Sequence, residues 1–114
     1  MHFVTRQFVC DRLKISRKTA YLMFPTRSRA PLQDTQVVKL LNAKAVGISP
    51  VTMIPSNLLT LNEAQAQVTV DNWPITRKRF DRWMEKRVIP HYRLTSHTVR
   101  IPSDLFTNWL LENL

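Results

Sequence analysis

A short basic phrase occurs twice in this chain, Ile15-Ser16-Arg17-Lys18 and Ile75-Thr76-Arg77-Lys78, sixty positions apart, and each copy opens a stretch with helical spacing. A hydroxyl residue in that place caps a helix by accepting from N–H groups of the first turn, so the phrase fixes two helix starts. The two cations that follow sit at the positive end of the helix dipole, which costs about a few tenths of a kcal/mol and favours an anion there. The same unfavourable placement, made twice, points to a use for those cations. A polar leading edge of this kind is what a helix presents to the major groove of DNA.

With 114 residues, 44% of them hydrophobic, the chain has material for one core or two small ones and is too short for two large domains. Its 17 Lys+Arg against 8 Asp+Glu leave a net +9, a field that attracts polyanions, nucleic acid ahead of an acidic membrane surface. The excess is localised. Arg6 to Arg29 holds seven cations and only Asp11, and Arg77 to Arg100 holds eight against Asp81 and Glu85, so each stretch nets +6 around one copy of the phrase. Cys10 stands alone, which removes any intrachain disulfide, and His2, His91 and His97 lack ligand spacing, so no metal site is expected. No apolar run approaches membrane-spanning length and the opening residues lack the apolar core of a signal peptide, so a cytoplasmic, nucleoid-associated protein is expected. There is no glycine-rich phosphate loop, no usefully spaced carboxylate pair and no Ser/His/Asp set, so neither catalysis nor a cofactor is expected.

In the first unit, residues 1–47, Thr5 caps a short helix carrying Phe8, Val9 and Leu13 on one side, and Ser16 caps the next. Ala20, Met23 and Phe24 fall at i, i+3 and i+4 and form its inward face, leaving Arg17, Lys18 and Tyr21 outward. Pro25 stops that helix and a basic loop with Arg27 and Arg29 follows. A further helix from about Asp34 to Ala45 ends before Gly47, the one glycine in the chain. Residues 48–58, with Pro50 and Pro55, read as a stiff linker.

The second unit, residues 59–114, repeats the plan. Thr60 or Asn62 caps its first helix, a longer turn spans Thr69 to Trp73, and Thr76 leads into a helix whose Phe80, Trp83 and Met84 match Ala20, Met23 and Phe24. Arg77, Lys78, Asp81 and Arg82 point away from that seam, with Asp11 and Asp81 expected to orient Arg12 and Arg77 or Arg82. Two extended runs around Thr95-Ser96-His97 read as a wing, and Pro102-Ser103-Asp104 caps a last helix with Leu105, Phe106, Trp109, Leu110 and Leu114 inward. The whole reads as a mainly α chain of tandem helix-turn-helix units, the second winged by a short two-stranded β-hairpin.

The ordered set Leu59-Thr60-x-x-Glu63-Ala64, Ile75-Thr76-Arg77-Lys78-Arg79-Phe80-Asp81-Arg82-Trp83-Met84 and Arg100-Ile101-Pro102-x-Asp104-Leu105 with Trp109-Leu110 resembles the winged helix-turn-helix of phage excisionases and MerR-like regulators. The likeness covers about half the chain, from Leu59 to the end, and Thr5 to Phe24 is a more degenerate version of it. It implies a module whose second helix enters the major groove while the wing follows a minor groove or the phosphates. Carried across by position, Thr76, Arg77, Lys78 and Arg82 form the major-groove set and Arg93, His97 and Arg100 the wing set. Arg79 joins them as a phosphate contact. In the first unit the corresponding residues are Ser16, Arg17, Lys18 and Tyr21, with Arg27 and Arg29 standing in for a wing. This wing tip has no glycine, where such wings often turn on one.

The expected function is sequence-specific binding of double-stranded DNA, as a transcription regulator or recombination directionality factor of a mobile element. The expected partners are duplex DNA, a recombinase or RNA polymerase, and a second copy of the chain on DNA. An alternative is a protein-interaction adaptor with one DNA-binding unit. Another is single-strand or RNA binding, for which Trp73 in its turn is the aromatic platform, since Trp83 and Trp109 fall on apolar faces.

Overall fold

The structure, a computed structural model, describes residues 2–25, 31–86 and 89–113. The first part of the chain forms β1 (Phe3–Val4), α1 (Arg6–Leu13), α2 (Arg17–Met23), β2 (Leu32–Gln33), α3 (Asp34–Lys44) and β3 (Ala45–Val46). The second forms β4 (Leu58–Thr60), α4 (Leu61–Ala66), β5 (Thr69–Val70), β6 (Trp73–Pro74), α5 (Arg77–Lys86), β7 (His91–Thr95), β8 (Thr98–Pro102) and α6 (Ser103–Asn113). Half of the described residues are helical and 22% lie in strands, a mixed α/β chain in place of the mainly α chain expected. Ladders of two or three residues make the difference, and they are too short to show an alternating pattern in sequence.

Helix starts follow the hydroxyl residues. Thr5 accepts from the Phe8 N–H at 3.0 Å, Ser16 from Thr19 at 3.1 Å and Thr60 from Glu63 at 3.1 Å. The Glu63 carboxylate accepts the Thr60 N–H in return, closing a capping box. Lys14, in the left-handed region with φ 53°, ends α1 and turns the chain into α2. The Thr69–Trp73 turn is a hairpin whose two loop residues, Asp71 and Asn72, both have positive φ, as a tight two-residue loop requires. At the wing tip Ser96-His97 spans Thr95 and Thr98 with no positive φ. A register shift between Arg93 and Thr95 accommodates the turn without glycine.

The second half repeats the plan of the first, down to equivalent strand pairs and backbone hydrogen bonds. Phe3 and Val4 pair with Gln33 and Leu32, as Leu58 and Leu59 pair with Pro102 and Ile101. The Asp34 N–H donates to His2 O at 2.9 Å and the Ser103 N–H to Asn57 O at the same distance. Thr5 and Thr60 stand 55 positions apart, Ser16 and Thr76 60, Asp34 and Ser103 69. The second copy is therefore longer by five residues, where the β5–β6 hairpin lies, and then by nine, where β7 lies.

The copies share one sheet, ordered β3-β7-β8-β4 and antiparallel throughout. Alternation sends Leu58, Tyr92 and Leu94 into one core with Val9, Leu13, Phe24, Leu32, Val37 and Leu41. Val99 and Ile101 enter the other with Ala64, Val68, Ile75, Ile89, Phe80, Phe106 and Trp109. Phe80 meets Phe106 edge to face at 6.2 Å, and Trp83 lies 5.7 Å from Trp109. The connection through residues 48–57 is held down rather than loose. The Asn42 side chain donates to Val51 O and accepts from Val51 N, while Ile48 and Ile54 pack on the first core. Cys10 is buried, which pushes its thiol up. Among the described residues no helix is long and apolar enough to cross a membrane.

Candidate nucleic-acid interface

The first residue of α2 and the first residue of α5 make the same contact. Arg17 donates to the Gln7 side-chain oxygen at 3.2 Å, and Arg77 donates to the Asn62 side-chain oxygen; each acceptor is the second residue of the preceding helix. Both partners are braced further. Gln7 donates to Asp11 at 2.8 Å, and Arg77 also bonds Asp81 at 3.0 Å, one turn along α5. These arginines stitch helix pairs together while keeping their charge at the leading edge. Asp81 orients Arg77 as expected, whereas Asp11 takes Gln7 and Arg12 lies 4.8 Å over the Phe8 ring, correcting the expected Asp11–Arg12 pairing.

The remaining cations of the two edges point to solvent. Lys18 on α2 and Lys78, Arg79 and Arg82 on α5 are exposed, and Thr76 braces the turn beneath them by accepting from the Arg79 N–H at 3.3 Å. Tyr21 is 37% exposed, with the Arg6 guanidinium 4.4 Å from its ring centroid, so its ring covers the α1–α2 junction while its edge stays accessible. Ser16 is committed to its cap and to Thr19. Arg27 and Arg29 lie outside the described residues, as does Leu114.

On the β7–β8 hairpin, Arg93 is exposed and His97 occupies the tip, its N–H donating to Thr95 Oγ1 at 3.3 Å. Arg100 is a correction. The resemblance puts it in the wing set, but its guanidinium turns inward, donating to Leu13 O at 2.8 Å, to Val99 O at 2.7 Å and to Lys14 O. The cause is strand alternation: Arg100 shares a sheet face with Tyr92, which is buried against the first core, whereas Arg93 opposes Val99 on the other face. Burial pulls the Arg100 guanidinium below its ordinary value, and the nearby Glu63 carboxylate opposes that. Glu63 itself bonds Lys14 at 2.7 Å; with the Thr60 N–H, that contact holds its carboxyl down at about 2.

Lys44 is a further exposed cation that the sequence does not single out. It ends α3, where a cation is ordinarily read as a partner for the helix dipole. The β3–β7 pairing brings it to a cleft of about 340 Å³ that Arg93, Thr95 and Ser96 also line. No local pattern announces that pairing. Trp73 is 75% exposed on the β5–β6 hairpin, just ahead of α5. Among the described residues no group of three or more His, Cys, Asp or Glu is placed to hold a metal ion. The ion pairs among those residues are Lys14–Glu63 and Arg77–Asp81, neither of which engages Lys18, Lys44, Lys78, Arg82 or Arg93. Comparison with protein-family models, with curated proteins and with solved structures finds no match to this chain.

Proposed function

We propose that this chain is a sequence-specific binder of double-stranded DNA built from two helix-turn-helix units, the second winged, on the plan of phage excisionases and MerR-like regulators. One observation carries the reading. The leading edges of α2 and α5 each show a capped helix start, a braced first arginine and an exposed lysine next to it, with no carboxylate paired to that lysine among the described residues. Such an edge suits a phosphate-lined groove: the braced arginine supplies fixed charge, and Lys78 and Arg82 reach bases or phosphates from α5. The β7–β8 hairpin adds the exposed Arg93 and His97. Arg100 serves the fold and leaves the contact set.

Two heads on one chain would let a monomer read successive major-groove faces, roughly 34–36 Å apart, without a palindrome. The biological role that follows is a small regulator of transcription or recombination directionality on a mobile element, working with a recombinase or polymerase. A fluorescence-anisotropy titration with duplex DNA over a salt series tests this. Binding whose affinity falls steeply and linearly with log salt is expected, and competition by unlabelled duplex should exceed that by single strand.

A second reading has one observation in its favour. The α2 surface exposes Leu22, at 72%, next to Tyr21, an apolar pair suited to a protein partner. If Arg17→Ala with Lys18→Ala leaves duplex affinity intact while changing oligomer size, the first unit is an adaptor and the second alone binds DNA.

A further inference from the structure

We propose that the cleft between the end of α3 and β7 seats a backbone phosphate of the bound duplex, with Lys44 and Arg93 as its cationic walls. The proposal rests on the DNA-binding reading above and deepens it by naming where the first and second units jointly hold the strand. In the β3–β7 ladder Ala45 opposes Tyr92 and Val46 opposes His91, which brings the end of α3 against β7, and Lys44 and Arg93 line one cleft there. Two like charges lining one cleft repel each other, and an anion between them removes that repulsion. Among the described residues no carboxylate lines the cleft to supply that anion. Ala43 and Ala45 also line it and are small, and Thr95 and Ser96 contribute hydroxyl donors to its lining.

The position within the molecule fits a phosphate of a long polymer. Lys44 belongs to the first copy of the repeat and Arg93 to the hairpin that only the second copy possesses, so the ligand bridges both. The wing tip with His97 continues directly from Ser96. A strand following the wing from His97 toward α3 meets Ser96, Arg93 and Lys44 in turn.

Anisotropy titrations of the full chain with a short fluorescein-labelled duplex, repeated over a salt series, test the proposal. Lys44→Ala is expected to weaken binding at low salt and to reduce the magnitude of the log affinity against log salt slope by about 0.9, the signature of one lost phosphate contact. Combination with Arg93→Ala is expected to remove about twice that, and Lys44→Arg to keep the wild-type slope. Lys39→Ala is the control, an exposed cation on the same helix that lines a different cleft, and it should leave the slope unchanged. If Lys44→Ala matches wild type and Lys39→Ala while Lys78→Ala shifts the slope, the duplex is bound without this cleft and the proposal is overturned. If the wild-type chain ignores duplex at low salt, the DNA-binding reading fails first and takes the cleft with it.

Discussion

The guanidinium of Arg100 donates to the carbonyl oxygen of Leu13 at 2.8 Å, joining residues 87 positions apart and tying the second copy of the repeat to the end of the first copy's opening helix. The carbonyls at a helix end lack partners within the helix. Arg100 fills that need from a neighbouring unit, and Lys14 adds the salt bridge to Glu63 from the same turn. The two copies are thereby fixed relative to each other by side-chain bonds as well as by their common sheet.

Arg100→Ala should cost about 2–3 kcal/mol, because it strands half-buried carbonyls that accept from a charged donor. Arg100→Lys should recover little, since an ammonium cannot fork between Leu13, Lys14 and Val99. Urea denaturation followed by circular dichroism measures this. Unchanged stability accompanied by lost DNA affinity would return Arg100 to the contact set.

Glu63 gives a pH signature. Its carboxyl is held at about 2 in the folded chain against an ordinary 4.5, so the folded state favours the charged form. The stabilisation is complete above the unfolded value and disappears as pH falls through the folded one. Both partners are well exposed, at 38% and 45%, so solvent screening keeps the contribution to about 0.5–1 kcal/mol. The stability gap between wild type and Glu63→Gln should narrow as pH is lowered from about 5 to about 2. A gap that stays constant over that range contradicts the assignment.

Thr60→Ala removes one half of the capping box on a helix of six residues and should destabilise by about 1 kcal/mol, while Thr60→Ser should be close to neutral. Thermal melts of both variants read the difference. Equal losses would place the role of Thr60 in its methyl group or strand pairing instead.

The two leading edges are separable. Lys78→Ala should weaken duplex binding uniformly across sequences, whereas Arg82→Ala should lose about 1–3 kcal/mol of discrimination at one base position if it makes a bidentate guanine contact. Lys18→Ala should resemble Lys78→Ala. A competition series against duplexes with single base changes distinguishes the two behaviours.

What the sequence made legible was local. The caps at Thr5, Ser16 and Thr60, the stop near Pro25, the inward Ala20 and Phe80, and the hairpin around Ser96-His97 all follow from residues within a few positions of one another. What stayed hidden was non-local. The β1–β2 and β3–β7 ladders are two residues long, and neither carries a period for a reader to find. Arg100 and Arg93 look alike as sequence, and only the sheet face to which alternation assigns each separates an internal tie from an exposed cation. Lys44 was masked by its ordinary place at a helix end. The repeat itself was visible in its basic phrase, but its equivalent hydrogen bonds, at His2 and Asn57, involve residues with no resemblance to each other.

The most direct measurement of the central claim is a hydroxyl-radical footprint at one chain per duplex, on sites enriched from a randomised pool. Two protected segments about one helical turn apart are predicted, with Lys18→Ala weakening one and Lys78→Ala the other. A pool that yields no enriched sequence, or a single protected segment indifferent to Lys18, would contradict it.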